Sequence, residues 1–179
     1  MPQIQSLSIV IPTLNEADNI KALIGRIDTA LYQKIRYELI FIDDHSTDST
    51  VTSIREIAKD SPSAISVHLK RGMRGKAFSL LEGFSRARYE LICMLDADLQ
   101  YPPEAIPGMV QALAEGNDII VANRINAESN IIRHGFSRFG RHLYGKWLHD
   151  FHCDVQSGLK LFRKEILNHI SLSPTSWTF

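Results

Sequence analysis

Short apolar runs alternate with longer amphipathic stretches along most of this chain, and few folds are compatible with that pattern. Five runs rich in Ile, Leu and Val are predicted to be strands: Leu7–Ile11, Glu38–Ile42, Ile65–Leu69, Leu91–Leu95 and Ile119–Ala122. Several are apolar on both faces, which is typical of buried parallel strands. The stretches near 18–31, 49–60, 75–88 and 103–115 are predicted helices. Strands and helices in this alternation predict an α/β fold with a doubly wound, mostly parallel sheet flanked by helices.

The composition excludes several classes of protein. The 20 Lys and Arg residues balance the 20 Asp and Glu residues, which argues against a protein that coats nucleic acid. No apolar run is long enough to span a bilayer, and the segment from Met1 to Ser6 lacks the features of a signal peptide. Two cysteines are too few for a disulfide scaffold, so we expect a reduced, cytoplasmic location.

Carboxylates follow three of the predicted strands. Pro12–Glu16 comes after the first strand, Asp43–Asp48 after the second and Asp96–Gln100 after the fourth. Ligands of doubly wound sheets bind beyond the carboxyl ends of the strands, so these segments predict the functional site. The alternative is that the acids only cap the following helices. Capping would explain Asp48 and also Asp44. It fits Asp96 and Asp98 less well, because the next predicted helix starts several residues after them.

Asp96, Asp98 and Gln100 share one parity along the chain. In an extended segment their side chains leave on the same face, about 6.6 Å apart at each step. Two carboxylates and an amide oxygen in this arrangement can converge on one hard divalent cation, either Mg²⁺ or Mn²⁺. The spacing therefore predicts a metal site at the end of the fourth strand.

Three other motifs of nucleotide-binding proteins and hydrolases are absent from the sequence. A Walker loop would need Gly at position 70 and Ser or Thr at position 77, where Lys70 and Ala77 stand. A dinucleotide fingerprint would need glycines after the first strand, and Pro12–Glu16 contains none. No Gly-x-Ser-x-Gly sequence supports a hydrolase of the α/β type.

Four blocks of the sequence resemble family 2 glycosyltransferases, in the order in which that family has them. The blocks are Ile9–Glu16, the Asp43-Asp44-x-Ser46-x-Asp48 turn, Asp96–Glu104 and Asp154-x-x-Ser157-Gly158-Leu159. The nearest group is the dolichol-phosphate mannose synthase-like enzymes, which glycosylate a polyprenyl phosphate. The resemblance covers roughly residues 7–163 and implies a GT-A fold.

The resemblance also implies roles for individual residues. It places a UDP- or GDP-sugar donor beside Pro12, Leu14, Glu16, Asp43, Asp44, Lys76, Asp96, Ala97 and Asp98. It assigns Mg²⁺ or Mn²⁺ to Asp96, Asp98 and Gln100. It places a polyprenyl phosphate acceptor beside Arg124, Ser137, Arg138, Asp154 and Ser157. Asp98, Arg124 and Arg138 are the residues that we expect to be catalytic.

We interpret residues 1–179 as a single GT-A catalytic domain, with a nucleotide-sugar part (1–123) and an acceptor part (124–179), and expect the natural protein to continue past residue 179. The expected reaction inverts the anomeric centre in one displacement at the cytoplasmic face of a membrane. An acceptor phosphate has a second pKa near 6, so it needs little help from a base. Two alternatives stay open: an enzyme of the same fold with a saccharide or protein acceptor, and an inactive nucleotide-binding module.

The stretch from Asn130 to His149 contains no carboxylate and predicts an amphipathic helix that lies at a membrane surface. The predicted apolar stripe and basic face consist of Phe136, Phe139, Leu143 and Trp147, and of Arg133, Arg141 and Lys146. The alternative is a core helix with a solvated basic face, because any surface helix shows apolar residues at this spacing.

We expect the protein to co-sediment with anionic liposomes at low salt and to be released at high salt, because each basic residue near the surface contributes about 1 kcal/mol. Neutral liposomes are the control. Equal, negligible binding to both, with unchanged Trp147 fluorescence, would favour the core helix.

Overall fold

In the computed structural model, residues 6–122 and 156–172 are described, and they form a six-stranded sheet with helices on both faces. The strands are β1 (Ser6–Thr13), β2 (Arg36–Asp43), β3 (Ala64–Leu69), β4 (Leu91–Leu95), β5 (Ile119–Val121) and β6 (Leu159–Arg163). The helices are α1 (Ala17–Leu31), α2 (Thr50–Asp60), α3 (Lys76–Arg86) and α4 (Ile106–Ala114), with short 3-10 helices at Pro103–Ala105 and Lys164–Asn168. The predicted strands and helices are confirmed, with ends that differ by at most two residues except at the start of α4, where the first three predicted residues form the 3-10 helix Pro103–Ala105.

The strand order is β3-β2-β1-β4-β6-β5, and the direction of the chain across the sheet reverses between β1 and β4. β1 pairs in parallel with β2 and with β4, and β2 pairs in parallel with β3. Because crossovers of parallel strands keep one hand, this reversal moves the connecting helix α3 to the opposite face of the sheet. It also leaves a crevice beyond the carboxyl ends of β1 and β4.

The direction of β6 relative to its neighbours was not predicted by hydrophobic periodicity. Residues 158–162 read as one more apolar segment, but the strand runs antiparallel between β4 and β5. Its start lies against the end of β4, where the N–H of Asp96 donates a hydrogen bond of 2.9 Å to the carbonyl oxygen of Gly158. The sheet is thus mostly parallel, as predicted, with one antiparallel insertion.

Alternate residues of β1 pack against different helices. Ile9 and Ile11 belong to the larger core cluster, which includes side chains of α1, α2 and α4. Val10 belongs to the smaller cluster on the other face, with Leu80 and Phe84 of α3. Both faces of the strand are buried, which explains why its sequence is apolar without interruption.

The predicted amphipathic helix at Asn130–His149 lies outside the described residues. Across residues 6–122 and 156–172, no helix is both long enough and apolar enough to cross a membrane.

α3 approaches β1 closely because residue 83 is a glycine. A Cβ atom at Gly83 would lie 2.2 Å from Cγ1 of Val10 and 3.3 Å from Cγ1 of Ile42. Val10 is β-branched and fully buried, so its side chain has little freedom to move aside.

We expect Gly83→Ala to lower the free energy of unfolding by about 1–3 kcal/mol, because overpacking forces side chains off their rotamers or displaces the helix. Gly25→Ala in α1 is the matched control, since no neighbouring atom lies within 4 Å of the added Cβ. There the substitution should stabilise the protein by about 0.5–1 kcal/mol. Denaturant unfolding measures both variants, and equal effects would contradict the close approach.

Candidate functional site

A cavity of about 550 Å³ opens beyond the carboxyl ends of β1 and β4. Its walls come from the segment after β1, the loop before α3 and the turn after β4. The lining residues are Pro12, Thr13, Leu14, Glu16, Asp44, Arg74, Gly75, Lys76, Ser79, Asp96, Ala97 and Asp98. Eight of the nine residues that we predicted to meet a nucleotide sugar are among them, and Asp43 is the exception.

A larger cavity, of about 870 Å³, lies elsewhere, between α3 and the segment that follows β6. Apolar side chains such as Leu81, Phe84 and Leu167 line it together with charged residues of both signs. Residues 88–90 of its lining precede β4, so it lies at the amino end of that strand, whereas ligands of such sheets bind beyond the carboxyl ends. The smaller cavity is therefore the candidate site.

Asp43 supports the cavity wall from behind, and its predicted place in the nucleoside pocket stays a prediction. Its side chain is fully buried. Oδ1 accepts hydrogen bonds from the hydroxyls of Thr13 (3.2 Å) and Ser46 (2.5 Å), and Oδ2 accepts one from the N–H of Ser46 (2.8 Å). The carboxylate thus ties the ends of β1 and β2 together.

Asp48 confirms the helix-capping interpretation made for it. Its Oδ1 accepts hydrogen bonds from the N–H (3.0 Å) and the hydroxyl (2.5 Å) of Thr50 at the start of α2. Its Oδ2 accepts one of 3.1 Å from the N–H of Ala17 at the start of α1. The bond from the Thr50 hydroxyl is the main reason why the pKa of Asp48 lies below its ordinary value. One carboxylate therefore joins the first residues of two helices.

Asp44 does not cap α2, so the capping alternative is wrong for this residue. Its Oδ2 accepts hydrogen bonds from Nζ of Lys70 (2.8 Å) and from the N–H of Gly75 (2.7 Å). The Lys70 side chain is fully buried and that of Asp44 is 10% exposed. Burial of Asp44 opposes its ionisation, but the bonds from Lys70 and Gly75 lower its pKa below the ordinary value. Sequence reasoning missed Lys70, because an isolated lysine carries no motif.

The segment after β4 turns instead of staying extended. Leu99 has a φ of +61°, and Oδ1 of Asp98 accepts a hydrogen bond of 3.1 Å from the N–H of Gln100. The extended face on which we placed Asp96, Asp98 and Gln100 is therefore wrong. Asp96 and Asp98 nevertheless both line the cavity, whereas Gln100 does not.

Asp96 is held by contacts from two other parts of the chain. Nζ of Lys76, the first residue of α3, lies 2.6 Å from each of its carboxylate oxygens. Gly75 before it has a φ of +120°, a conformation that favours glycine. A Cβ atom at Gly158 would lie 2.0 Å from Oδ2 of Asp96, so only glycine leaves room for the carboxylate.

The cavity has more carboxylates than cations in its walls. Glu16, Asp44, Asp96 and Asp98 face only Arg74 and Lys76. Burial raises the pKa of Glu16 above its ordinary value, against a hydrogen bond from Asn19, and the charges of Asp98 and Asp96 add to the increase. An excess of negative charge at a partly open cavity favours the binding of cations.

The acceptor side of the predicted site is described only at Ser157. This serine is buried, its hydroxyl donates a hydrogen bond of 2.7 Å to the carbonyl oxygen of Ala122, and the N–H of Leu159 donates one of 3.2 Å to it. It therefore joins the end of β5 to the start of β6. The other residues predicted for the acceptor, Arg124, Ser137, Arg138 and Asp154, lie outside the described residues, and their roles stay predictions.

Comparison with solved structures defines the class of fold. The chain is similar to a mannosyltransferase from Pyrobaculum calidifontis in complex with GDP-Man and Mn²⁺, with a TM-score of 0.68 and 24% identity over 94% of this chain and 47% of that chain. It is also similar to glucosyl-3-phosphoglycerate synthase from Mycobacterium tuberculosis in complex with Mn²⁺ and UDP-Glc, with a TM-score of 0.71 and 19% identity over 96% of this chain and 61% of that chain. The GT-A fold predicted from the sequence is confirmed.

Residues 8–171 match Glycosyl transferase family 2, and the chain belongs to that family. Dolichol-phosphate mannosyltransferase from Pyrococcus furiosus is 32% identical over 177 residues, which are 94% of this chain and 49% of that relative. Undecaprenyl-phosphate 4-deoxy-4-formamido-L-arabinose transferase from Klebsiella pneumoniae is 34% identical over 172 residues, which are 93% of this chain and 51% of that relative. The chain spans about half the length of these curated relatives.

We expect Asp44→Asn to lower the free energy of unfolding at pH 7 by about 3–5 kcal/mol, because it leaves the ammonium of Lys70 buried without its charged partner. Glu104→Gln is the matched control: it breaks the 2.8 Å ion pair with Arg26, whose side chain is 37% exposed, and should cost less than about 1 kcal/mol. Denaturant unfolding measures both variants.

The effect of Asp44→Asn should also depend on pH. A carboxyl whose pKa is lowered by folding stabilises the protein fully above its unfolded value, here 3.8, and loses that contribution as the pH falls through the lower folded value. The difference between wild type and Asp44→Asn should therefore shrink below about pH 4. A difference that is independent of pH would contradict the ion pair.

Proposed function

We propose that this chain transfers a sugar, with inversion, from a nucleotide diphosphate sugar to a polyprenyl phosphate. The observation that carries the proposal is the cavity at the β1–β4 reversal, where Asp96, Asp98 and Lys76 come together from two segments. The names of the dolichol-phosphate and undecaprenyl-phosphate relatives support the acceptor class. The chain spans about half the length of these relatives, so their activity and substrates are proposed for this chain and are not assigned to it.

We propose that Asp96 and Asp98 hold Mg²⁺ or Mn²⁺. Within the described residues, no group of three or more His, Cys, Asp or Glu side chains could hold a metal by itself. Two carboxylates plus substrate phosphates are nevertheless a common way to hold such ions, and hard oxygen ligands suit them. A divalent ion bound here would stabilise the negative charge on the leaving diphosphate. Gln100 stays a predicted ligand that would need the turn after β4 to rearrange.

The charges in the cavity support metal-dependent binding of the donor. The lining side chains carry a formal charge of −2. A diphosphate is itself an anion, so it enters this site favourably only together with additional positive charge.

We propose that the nucleoside lies beside Pro12, Leu14 and Asp44, with UDP preferred to GDP. Leu14 is 52% exposed at the wall and offers apolar surface to a base. Oδ2 of Asp44 is occupied by Lys70 and Gly75, whereas its buried Oδ1 accepts no hydrogen bond from any described residue and lies 3.9 Å from Nε of the exposed Arg74. Uracil presents one N–H group, which a single oxygen can accept. Guanine presents adjacent N1–H and N2–H groups, which both oxygens of a carboxylate would have to serve.

We propose that Arg124 and Arg138 position the acceptor phosphate, with Ser137, Asp154 and Ser157 nearby. Guanidinium groups bind phosphate with two parallel hydrogen bonds, so they suit the positioning of this anion. The support for these residues is the sequence resemblance. A lipid-borne acceptor would place the reaction at a membrane surface, for which we propose the cytoplasmic face.

We expect Asp98→Asn to abolish sugar transfer, and Asp96→Asn to weaken donor binding mainly when metal is present. The measurements are calorimetric binding of UDP- and GDP-sugars and transfer to polyprenyl phosphate in detergent, each with Mn²⁺ and with EDTA. Asp18→Asn is the control, because it removes an exposed carboxylate of α1 that does not line the cavity.

Wild-type activity of both cavity variants in Mn²⁺ would contradict the metal assignment. Donor binding with transfer only to a saccharide or protein would contradict the proposed acceptor. Binding without transfer or hydrolysis would indicate a nucleotide-binding module.

A further inference from the structure

We infer that Lys76 is a built-in counter-ion which occupies the cation position at Asp96 and gives it up when metal and nucleotide bind together. The inference rests on the proposed function, because it concerns how the same site is loaded. It predicts that metal alone binds weakly and that the donor raises the affinity for metal.

The ammonium group of Lys76 lies against both oxygens of the Asp96 carboxylate. Nζ of Lys76 lies 2.6 Å from both Oδ1 and Oδ2 of Asp96. Oxygens bind divalent cations at about 2.0–2.6 Å. An ion shared by the two oxygens of Asp96 would therefore lie close to the present position of Nζ.

The ammonium of Lys76 and a divalent ion cannot occupy this position at Asp96 at the same time. An ammonium and a divalent ion on one carboxylate would repel each other at short range, where the lysine side chain is 31% exposed and the aspartate side chain 20% exposed. The metal must displace the lysine, so its binding to Asp96 is reduced by the loss of an existing ion pair. Asp98 forms no ion pair within the described part of the chain, so it stays available to the metal.

The displaced ammonium of Lys76 needs a new anionic partner, and a bound diphosphate would supply one in the same cavity. Lys76 is the first residue of α3, and its side chain lines the same cavity as Asp98 and Leu14. A diphosphate in that cavity offers oxygens to the displaced ammonium, near a helix N-terminus that also favours anions. No bond forms or breaks in the exchange: the ammonium leaves a carboxylate for a phosphate, and the metal takes the carboxylate. Metal and nucleotide then favour each other's binding, and this coupling is reciprocal.

A purely structural ion pair would give a different result. If Lys76 and Asp96 only stabilised the fold, removal of the lysine would lower stability and leave the coupling between metal and nucleotide unchanged. Measurements of metal affinity with and without nucleotide separate the two roles.

The test is titration with Mn²⁺, followed by the electron paramagnetic resonance signal of the unbound ion, without nucleotide and with saturating UDP or GDP. We expect Lys76→Met to bind Mn²⁺ without nucleotide on the order of tenfold more tightly than wild type, because the competing cation is gone. The increase in Mn²⁺ affinity caused by the nucleotide should become smaller. Lys76→Arg should behave like wild type, as should Lys59→Met, which removes an exposed ammonium in the last turn of α2.

Unchanged nucleotide-free affinity in Lys76→Met, with Mn²⁺ still bound by wild type in the presence of nucleotide, would overturn this inference and leave the proposed function standing. Absence of Mn²⁺ binding in wild type with either nucleotide would instead overturn the proposed metal site and the inference with it. Thermal unfolding verifies that each variant is folded, and Lys76→Gln replaces Lys76→Met if the latter does not fold.

Discussion

β1 pairs in parallel with β2 on one side and with β4 on the other, and its apolar residues are buried on both faces. Because β2 occupies one edge of β1, β4 pairs with the other edge, and the chain reverses its direction across the sheet, which places helices on both faces. The reversal brings the segment that follows β1 next to the turn that follows β4. The cavity and the positions of Asp96, Asp98 and Lys76 in it all depend on this central strand.

Burial of charge explains which carboxylates are structural and which are candidates for function. Asp43 and Glu38 are buried, and each accepts at least three hydrogen bonds, in the case of Glu38 from Arg88 and Ser8. A buried carboxylate that accepts several hydrogen bonds from different segments organises the fold. At the cavity the balance differs, because carboxylates exceed cations there and Oδ1 of Asp44 accepts no hydrogen bond from the described residues. This imbalance is the physical basis for proposing an added cation and a nucleotide.

The errors in the sequence analysis have a common origin. The extended face of Asp96, Asp98 and Gln100 assumed that a strand parity continues past the end of the strand, but the backbone turns at Leu99. Similarly, the motif places the carboxylates of Asp43 and Asp44 side by side without fixing the direction of either. Their orientations differ in the structure, since one points into the turn and the other into the cavity. Parity and motif position locate a segment well, but they do not fix the direction of a side chain in a turn.

The sequence by itself determined the elements and the edge of the sheet that carries the site. Hydrophobic periodicity is a local property, so it predicted strands, helices and the carboxylates at the strand ends, including the capping role of Asp48. Only the tertiary structure decided the partners: β6 between β4 and β5, Lys70 on Asp44, and Lys76 and Gly158 on Asp96. These contacts join residues that are far apart in the sequence. They form because a buried carboxylate is stabilised by a nearby cation and needs space around it, and the fold determines which residues supply both. A local sequence pattern therefore does not predict these contact partners.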